Sequence, residues 1–240
     1  MTKASIVGVG PGDPVWLTGR ASAAIAESET PSTSDPTQTE PTPVDAISDE
    51  GRARIREGLA EKRRRADRKP RGLFIVNTGN GKGKTTAALG VLLRAWGRDL
   101  RVIALQFLKH QTGNWGESRA AKKMGIEIIP LGGGFTWMSE DLEKDKALAR
   151  AGWERCREAI ESGRYDVVVL DELTYCFTYG WLDLDAVLDV LRRRPPGLHV
   201  IVTGRDAPAG LIDFADLVTE MREIKHPFTS GMLAQKGIDF

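Results

Sequence analysis

Continuous runs of apolar and β-branched residues recur from residue 73 to the C-terminus, and segments with apolar residues at helical spacing separate them. Apolar runs without polar alternation are typical of strands buried on both faces, which form mainly parallel sheets. Strands are therefore predicted at residues 73–77, 101–108, 126–131, 165–170, 198–203 and 217–221. Because strand and helix alternate, the pattern predicts a three-layer α/β fold with right-handed crossovers.

Two of the intervening helices have a recognisable apolar face. The first face consists of Leu142, Ala149, Trp153, Cys156 and Ile160. The second consists of Leu184, Val187, Leu188 and Leu191, with Asp183 as the expected N-cap and Pro195-Pro196 as the stop. Ligands of such folds bind beyond the carboxyl ends of the strands, so the loops after residues 77, 108, 131, 170 and 203 should converge on one site.

The first 71 residues differ in composition from the rest of the chain. Residues 1–30 form a short segment with an apolar start, and residues 31–48, rich in Ser, Thr, Pro and acidic residues, are predicted to be a disordered linker. Residues 49–71 form a basic segment, predicted to be a helix that depends on packing against another surface. Residues 72–240 are predicted to be the domain proper.

Overall composition narrows the class of protein. The 240 residues are 41% hydrophobic and 28% charged, as in a globular protein, and the net charge of +1 argues against a surface that binds polyanions throughout. Cys156 and Cys176 both lie in apolar patterns, which favours buried free thiols in a reducing compartment. With no apolar run of membrane-spanning length and no signal pattern, the sequence predicts a cytoplasmic protein without a membrane partner.

The most specific motif is Thr-Gly-Asn-Gly-Lys-Gly-Lys-Thr-Thr at residues 78–86, between a predicted strand and a predicted helix. This is the context of a phosphate-binding loop, in which backbone N–H groups and a helix N-terminus surround phosphates. Lys84 is expected to contact the outer phosphates, and the Thr85 hydroxyl to bind Mg²⁺. The standard pattern has glycine where this chain has Thr78, and the alternative is an ordinary glycine-rich turn. The predicted nucleotide-binding residues are Thr78, Gly79, Asn80, Gly81, Lys82, Gly83, Lys84, Thr85 and Thr86.

Asp171 and Glu172 follow the apolar run that ends at residue 170. In phosphate-loop enzymes such a strand presents an acidic residue to the metal or to its water shell. Mg²⁺ prefers oxygen ligands and keeps several waters, so one or two carboxylates suffice. Both residues are therefore predicted to serve a magnesium site with Thr85, the alternative being an acid that caps the next helix. Spacing does not decide which carboxylate is the direct ligand.

Three consecutive glycines at residues 132–134 precede Phe135 and Trp137. Glycines make this loop flexible, and two aromatic side chains on it suit a lid over a flat ligand. The alternative is a loop that folds back onto the body of the domain.

Three cations are further candidates. Lys109 and Arg205 follow predicted strands and either neutralise phosphate charge or are solvated surface cations, while Arg94, on the helix after the loop, suggests a structural role on local grounds. No serine or cysteine nucleophile with a neighbouring base is recognisable in the sequence.

Together these motifs resemble the corrinoid adenosyltransferases of the cob(I)alamin and cob(I)yrinic acid a,c-diamide type. The resemblance runs from about residue 50 to the C-terminus and includes Gly-Phe-Thr-Trp (134–137), Leu-Asp-Glu-Leu-Thr-Tyr (170–175), Thr-Gly-Arg (203–205) and the tail segments 225–228 and 237–240. The phosphate loop with Thr78 is the loop that this family carries. The resemblance implies a phosphate-loop NTPase-like (RecA-like) fold and an enzyme of adenosylcobalamin biosynthesis or salvage.

The implied reaction transfers the 5′-deoxyadenosyl group of ATP to the Co(I) centre of a reduced corrinoid and releases triphosphate. Co(I) is itself the nucleophile, so no general base is needed. Lys84, the loop amides and Mg²⁺ would stabilise the charge on the leaving group. A flavodoxin-type or flavin reductant and a homodimer are also implied.

The resemblance also implies roles for individual residues. Asn80 would contact the nucleoside or phosphate, Thr85 and Glu172 would serve Mg²⁺, and Arg94 would lie near the nucleotide. Phe135 and Trp137 would press on the lower face of the corrinoid, because displacing its lower axial ligand gives a four-coordinate Co(II) that is easier to reduce. The expected catalytic residues are Lys84, Phe135, Trp137 and Glu172, and Arg205 is expected to bind the nucleotide.

Two further features are compared with the same family. Met138 stands where the family usually has an acidic residue, and residues 52–71 resemble the family's N-terminal helix, which can cover the corrinoid site; a solvated helix is the alternative. Residues 7–21 separately resemble the opening of tetrapyrrole methyltransferases. A fragment this short cannot form a core, so no methylase activity is expected.

Two other function classes fit parts of the sequence. A phosphate-loop ATPase or kinase would release ADP or phosphate instead of triphosphate. An ATP-dependent nucleic-acid-binding module would use the basic segment and the loop aromatics. The near-neutral net charge and the lack of a basic stripe within residues 72–240 weigh against the nucleic-acid module.

Overall fold

The computed structural model describes residues 48–65, 71–110, 112–133 and 142–238. The helix within residues 48–65 and the described chain from residue 71 onward belong to different compact units, and each is described by itself. In the first unit helix α1 spans Asp49–Arg65, and its N-terminus is capped by Ser48, whose Oγ accepts a hydrogen bond of 3.2 Å from Gly51 N. The predictions for residues 1–47, including the linker and the methyltransferase-like segment, lie outside the described residues.

Six parallel strands form a single sheet in the main unit. They are β1 (Phe74–Thr78), β2 (Val102–His110), β3 (Glu127–Gly132), β4 (Val167–Asp171), β5 (His199–Thr203) and β6 (Leu217–Glu220). Their order across the sheet is β3-β2-β4-β5-β1-β6, and all neighbouring pairs are parallel. Every strand lies within two residues of its predicted bounds, and the predicted parallel α/β sheet is confirmed.

Helices connect the strands. They are α2 (Lys84–Trp96), α3 (Gly116–Met124), α4 (Leu142–Glu161), α5 (Thr174–Thr178), α6 (Leu184–Arg192) and α7 (Ala209–Phe214), followed by a 3₁₀ turn at Pro227–Ser230. Asp183 caps α6 as predicted, because its side chain accepts a hydrogen bond of 2.8 Å from Ala186 N. No helix in the described part of the chain is both long and apolar enough to cross a membrane.

The core lies on both faces of the sheet, and this explains the uninterrupted apolar runs. In β4, Val168 and Leu170 pack in one cluster with Trp153 of α4, whereas Val167 and Val169 pack in a second cluster that includes residues of α2. The two halves of the core therefore fill the spaces between three layers. Cys156 and Cys176 are buried free thiols, as predicted.

The predicted face of α4 needs one correction. Ala149, Trp153, Cys156 and Ile160 are buried as expected, but Leu142 is 63% exposed. Leu142 is the first residue of the helix, and the buried face begins three residues later. Its match to the helical spacing was therefore coincidental.

An ion pair joins the residue before β2 to the residue before β4, and it gives a prediction about the pH dependence of stability. The side chain and backbone N–H of Arg101 donate hydrogen bonds to the Asp166 carboxylate at 2.7–3.0 Å, and these bonds lower the pKa of Asp166 to about 2. A carboxyl group with a lowered folded-state pKa contributes stability above its unfolded pKa of about 4, and this contribution is lost as the pH falls toward 2.

We expect Asp166→Asn to lower the urea midpoint of unfolding at neutral pH, because the variant keeps the shape of the side chain but loses the charge. The difference between the native chain and the variant should shrink steadily as the pH falls from about 4 toward 2. Equilibrium urea titrations over this pH range measure both quantities. A difference that stays constant with pH would show that the ionised carboxylate is not what stabilises this corner of the fold.

Candidate active site

The phosphate loop connects the last residue of β1, Thr78, to the first residue of α2, Lys84. Lys84 is buried, and its Nζ donates hydrogen bonds to the carbonyl oxygens of Gly79 at 2.8 Å and Gly81 at 2.7 Å. The ammonium group therefore lies inside the loop at the N-terminus of α2, where a helix favours anions. Burial lowers the pKa of Lys84, and the nearby Glu172 carboxylate partly offsets this effect.

The chain after β6 packs directly against the loop. Gly81 N donates a hydrogen bond of 2.7 Å to the Met221 carbonyl, and Met221 N donates one of 2.8 Å to the Thr78 carbonyl. A Cβ atom at Gly79 would lie 2.4 Å from the Met221 carbonyl oxygen, and one at Gly81 would lie 2.7 Å from the Arg222 carbonyl group. The packing of the segment after β6 therefore requires glycine at positions 79 and 81, independently of any requirement set by phosphate binding.

Asp171 ends β4 and is fully buried beside the loop. Its carboxylate accepts three hydrogen bonds, from Thr85 Oγ1 at 2.8 Å, Thr203 Oγ1 at 2.6 Å and Gln106 Nε2 at 2.9 Å. Because the Thr85 hydroxyl donates its proton to Asp171, the lone pairs of its oxygen face away from the carboxylate. The structure thus brings together Asp171 and Thr85, which the sequence predicted to share a metal site.

Sequence reasoning missed two of these partners. Gln106 is a fully buried polar residue inside β2, and its only signal was a polar side chain within an apolar run. Thr203 ends β5 and is also fully buried. The signal for Thr203 was a hydroxyl side chain at the carboxyl end of a predicted strand.

Glu172 differs from Asp171 in its backbone conformation and in its hydrogen bonding. Its backbone φ of 59° lies in the left-handed region, and its N–H donates a hydrogen bond of 2.9 Å to Thr203 Oγ1. The side chain is buried, and its Oε2 atom has no hydrogen-bond partner in the described structure. Burial, assisted by the charge of Asp171, raises the pKa of Glu172 to about 7, against the opposing effect of Lys84. Strained backbone and an unsatisfied buried carboxylate are typical of a site that a ligand completes.

The two cations at strand ends have different environments. Lys109 is 5% exposed, so the interpretation as a solvated surface cation is wrong for this residue. Its ammonium pairs with Glu117 and lies 5.1 Å from the centroid of the Trp115 ring. Arg205 is partly buried after β5, and its charge acts on both Lys84 and Glu172. Arg205 therefore lies in the electrostatic field of the site.

Other candidate residues lie farther from this cluster or outside the description. Arg94 is exposed in the last turn of α2, ten residues after Lys84, which is about 15 Å along the helix. Asn80, Lys82 and Thr86 are exposed around the loop. Phe135 and Trp137 lie outside the described residues, and their predicted role as a lid stays a prediction.

Comparison with known proteins agrees with this geometry. A family model described as ATP:corrinoid adenosyltransferase BtuR/CobO/CobP matches residues 70–240. The chain belongs to this family. Its reaction is therefore the ATP-dependent adenosylation of corrinoids, with ATP and a corrinoid as substrates, and neither an ATPase or kinase nor a nucleic-acid-binding module is favoured.

Three curated relatives show the same similarity. The corrinoid adenosyltransferase of Escherichia coli K12 is 42% identical over 172 residues, covering 71% of this chain and 86% of the relative. The enzyme of Salmonella typhimurium LT2 is 43% identical with the same coverage, and that of Pseudomonas aeruginosa PAO1 is 41% identical over 175 residues, or 72% of this chain and 86% of the relative. A distant solved structure, the flagellar accessory protein FlaH from Methanocaldococcus jannaschii, has a TM-score of 0.44 and 14% identity and covers 63% of this chain and 71% of its own.

The packing of the loop gives a second prediction. We expect Gly81→Ala to weaken ATP binding at least tenfold and to lower the melting temperature, because the added Cβ has no room beside the Arg222 backbone. Isothermal titration with ATP and thermal unfolding measure the two effects.

Gly90→Ala in helix α2 is the matched control, because a Cβ at Gly90 would meet no atom within 4 Å. This control should leave ATP binding unchanged and stabilise the helix by about 0.5–1 kcal/mol. Native ATP affinity in Gly81→Ala would contradict the proposed packing constraint.

Proposed function

We propose that residues 78–86, Asp171, Glu172 and Arg205 bind ATP together with Mg²⁺ and hold its triphosphate as a leaving group. In this reaction Co(I) of the corrinoid attacks C5′ of the ribose, the C5′–O bond breaks, and triphosphate departs with the bonding electrons. Two observations carry the proposal: the Thr85 hydroxyl is held by Asp171, and the buried Glu172 Oε2 has no hydrogen-bond partner in the described structure.

The residues present fit Mg²⁺. Thr85 offers oxygen lone pairs because its proton is donated to Asp171, and Glu172 Oε2 offers a free carboxylate oxygen. Hard cations prefer such oxygen ligands, and Mg²⁺ completes its shell with waters and substrate phosphates. Asp171 already accepts three hydrogen bonds, so we assign it the task of orienting Thr85, and Glu172 the contact with the metal or its water. Bound Mg²⁺ supplies positive charge that stabilises the leaving triphosphate.

Lys84 has a corresponding role in binding the phosphates. In the structure its ammonium satisfies the two loop carbonyls, and we propose that it turns to the phosphate oxygens when ATP binds. Lys84, Arg205 and the N-terminus of α2 then place positive charge around an anion whose charge grows as the C5′–O bond breaks. Asn80 is proposed to contact the nucleotide from the exposed tip of the loop, and the role of Arg94 near the nucleotide rests on family resemblance alone.

The remaining features of the proposal rest on the same resemblance. Phe135 and Trp137 are proposed to displace the lower axial ligand of the corrinoid, residues 49–71 to form a basic helical segment, and residues 72–240 to form the catalytic domain. The enzyme is proposed to work in the cytoplasm as a homodimer and to receive electrons from a flavodoxin-type or flavin reductant. Residues 1–30 are proposed to have no activity of their own.

Product analysis tests the proposed reaction. The full chain is mixed without oxygen with reduced corrinoid, ATP and Mg²⁺, and the products are followed by absorbance and by anion chromatography. We expect a light-sensitive cobalt–carbon product and an equal amount of triphosphate. ADP or phosphate as the sole phosphorus product, without alkylated cobalt, would contradict the proposal.

Substitution of the two carboxylates separates their assigned tasks. Glu172→Gln should raise the Mg²⁺ concentration needed for half-maximal activity at least tenfold without destabilising the fold, because Oε2 has no hydrogen-bond partner in the described structure and a buried charge is removed. Asp171→Asn should lower the melting temperature, because it disturbs three buried hydrogen bonds.

Glu158→Gln, a change at an exposed position of α4, is the control and should alter neither quantity. The assignment would be reversed if Asp171→Asn raised the Mg²⁺ requirement while Glu172→Gln left it unchanged.

A further inference from the structure

A small pocket lies between the ends of β2 and β3 and the helices α4 and α5, apart from the phosphate loop. Its walls are mainly apolar and include Phe107, Leu148, Ala149, Cys176 and Trp181. Its volume of about 10 Å³ is room for about one water-sized group. A cavity of this size suits the tip of a side chain of a larger ligand.

One carboxylate faces these apolar walls. Asp145, in the first turn of α4, is only 8% exposed, and its Oδ2 atom has no hydrogen-bond partner in the described structure. Acidic residues in a first turn interact favourably with the helix dipole, but this effect does not require burial. Glu143 lies in the same turn and is exposed. The burial of Asp145 therefore needs another explanation, since an unsatisfied buried carboxylate is unfavourable until a donor reaches it.

The position of the pocket links it to the corrinoid. Gln106, the residue before Phe107 in β2, donates a hydrogen bond to Asp171, and Cys176 lies in α5, the helix that follows Asp171 and Glu172, so two walls of the pocket are continuous in the chain with the nucleotide site. These walls lie on the side of β4 away from β1, the strand that leads into the phosphate loop. A second substrate that approaches the ribose of ATP from this side of the sheet would reach the pocket.

We propose that Asp145 binds a peripheral propionamide of the corrinoid, whose NH₂ group enters the pocket and donates a hydrogen bond to Oδ2. The corrin ring of cob(I)alamin carries propionamide side chains that are carboxylates in the a,c-diamide, and the NH₂ group at the end of such a side chain has about the size of the cavity. A carboxylate at the same position of the substrate is disfavoured, because two like charges would face each other between apolar walls. The pocket thereby selects amidated corrinoids over their acid forms, a preference that rests on the adenosyltransferase activity of the family.

Kinetics with two corrinoids test this selection. Cob(I)alamin carries amides at its periphery, whereas cob(I)yrinic acid a,c-diamide carries mostly carboxylates, and each is used with saturating ATP and Mg²⁺. We expect Asp145→Asn to raise the KM for cob(I)alamin about fivefold, because a charge-assisted hydrogen bond becomes a neutral one. The KM for the diamide should fall in the same variant, because the repulsion is gone, while the KM for ATP stays unchanged.

The opposite signs for the two corrinoids separate substrate binding from a structural effect, which would change both in one direction. Glu143→Gln is the matched control in the same turn and should change neither KM. Asp145→Leu removes the acceptor and fills the cavity, so it should raise the KM for cob(I)alamin more than Asp145→Asn does. Unchanged corrinoid KM values in Asp145→Asn, or equal changes for both corrinoids, would overturn the proposal.

The native chain offers a test that needs no variant. Without ATP, cob(II)alamin should protect it against thermal unfolding more strongly than the diamide does at the same concentration, and equal protection would contradict the proposal. If the adenosyltransferase assignment itself were wrong, the result would differ, because the native protein would then form no cobalt–carbon bond with either corrinoid.

Discussion

The hydrogen bonds to Asp171 determine the geometry of the nucleotide site. One buried carboxylate accepts bonds from Gln106 of β2, Thr85 of α2 and Thr203 of β5, and so it joins two neighbouring strands to the helix that follows the phosphate loop. Each donor is held because the alternative is an unpaired charge between apolar layers. The position of Thr85, and with it the first turn of α2, depends on this cluster.

Adjacent carboxylates can have separate tasks because hydrogen bonding and burial act on them differently. Asp171 accepts three hydrogen bonds, whereas Glu172 is also buried but has an oxygen without a partner in the described structure and a raised pKa. The position of these two carboxylates along the chain does not distinguish them. The difference arises from Thr203 and Gln106, which reach the Asp171 carboxylate from other strands, whereas Glu172, with its left-handed backbone, bonds Thr203 only through its N–H and leaves Oε2 without a donor in the described structure.

Sequence reasoning succeeded where a physical constraint repeats along the chain. The central strands were predictable because burial on both faces favours apolar residues along most of a run, whereas β6, at the edge of the sheet, is exposed along its length. The cap at Asp183 was predictable because a helix N-terminus needs a nearby acceptor. The contribution of Gln106 was not predictable, because one polar residue in a buried strand looks like an interruption until its partner on β4 is known.

Long-range contacts also give Thr78 a structural role. In the sequence it stands where the standard phosphate loop has glycine, but in the structure its hydroxyl accepts a hydrogen bond of 3.2 Å from Ala207 N. A glycine would lose this link between β1 and the chain that follows β5. Gly81 shows the complementary effect, because its amide bonds to Met221, more than a hundred residues away in sequence.

Contacts with distant segments of the protein therefore hold the phosphate loop in place, in addition to its fit to phosphate. This arrangement suits the proposed adenosyl transfer. In phosphoryl transfer the loop must place a γ-phosphate in line with an attacking oxygen. In adenosyl transfer the reacting bond is C5′–O, and the whole triphosphate leaves. One amide of the loop bonds to Met221, but Lys84, the other amides and the metal can still bind the triphosphate. This is sufficient because no group of the loop has to position a nucleophile.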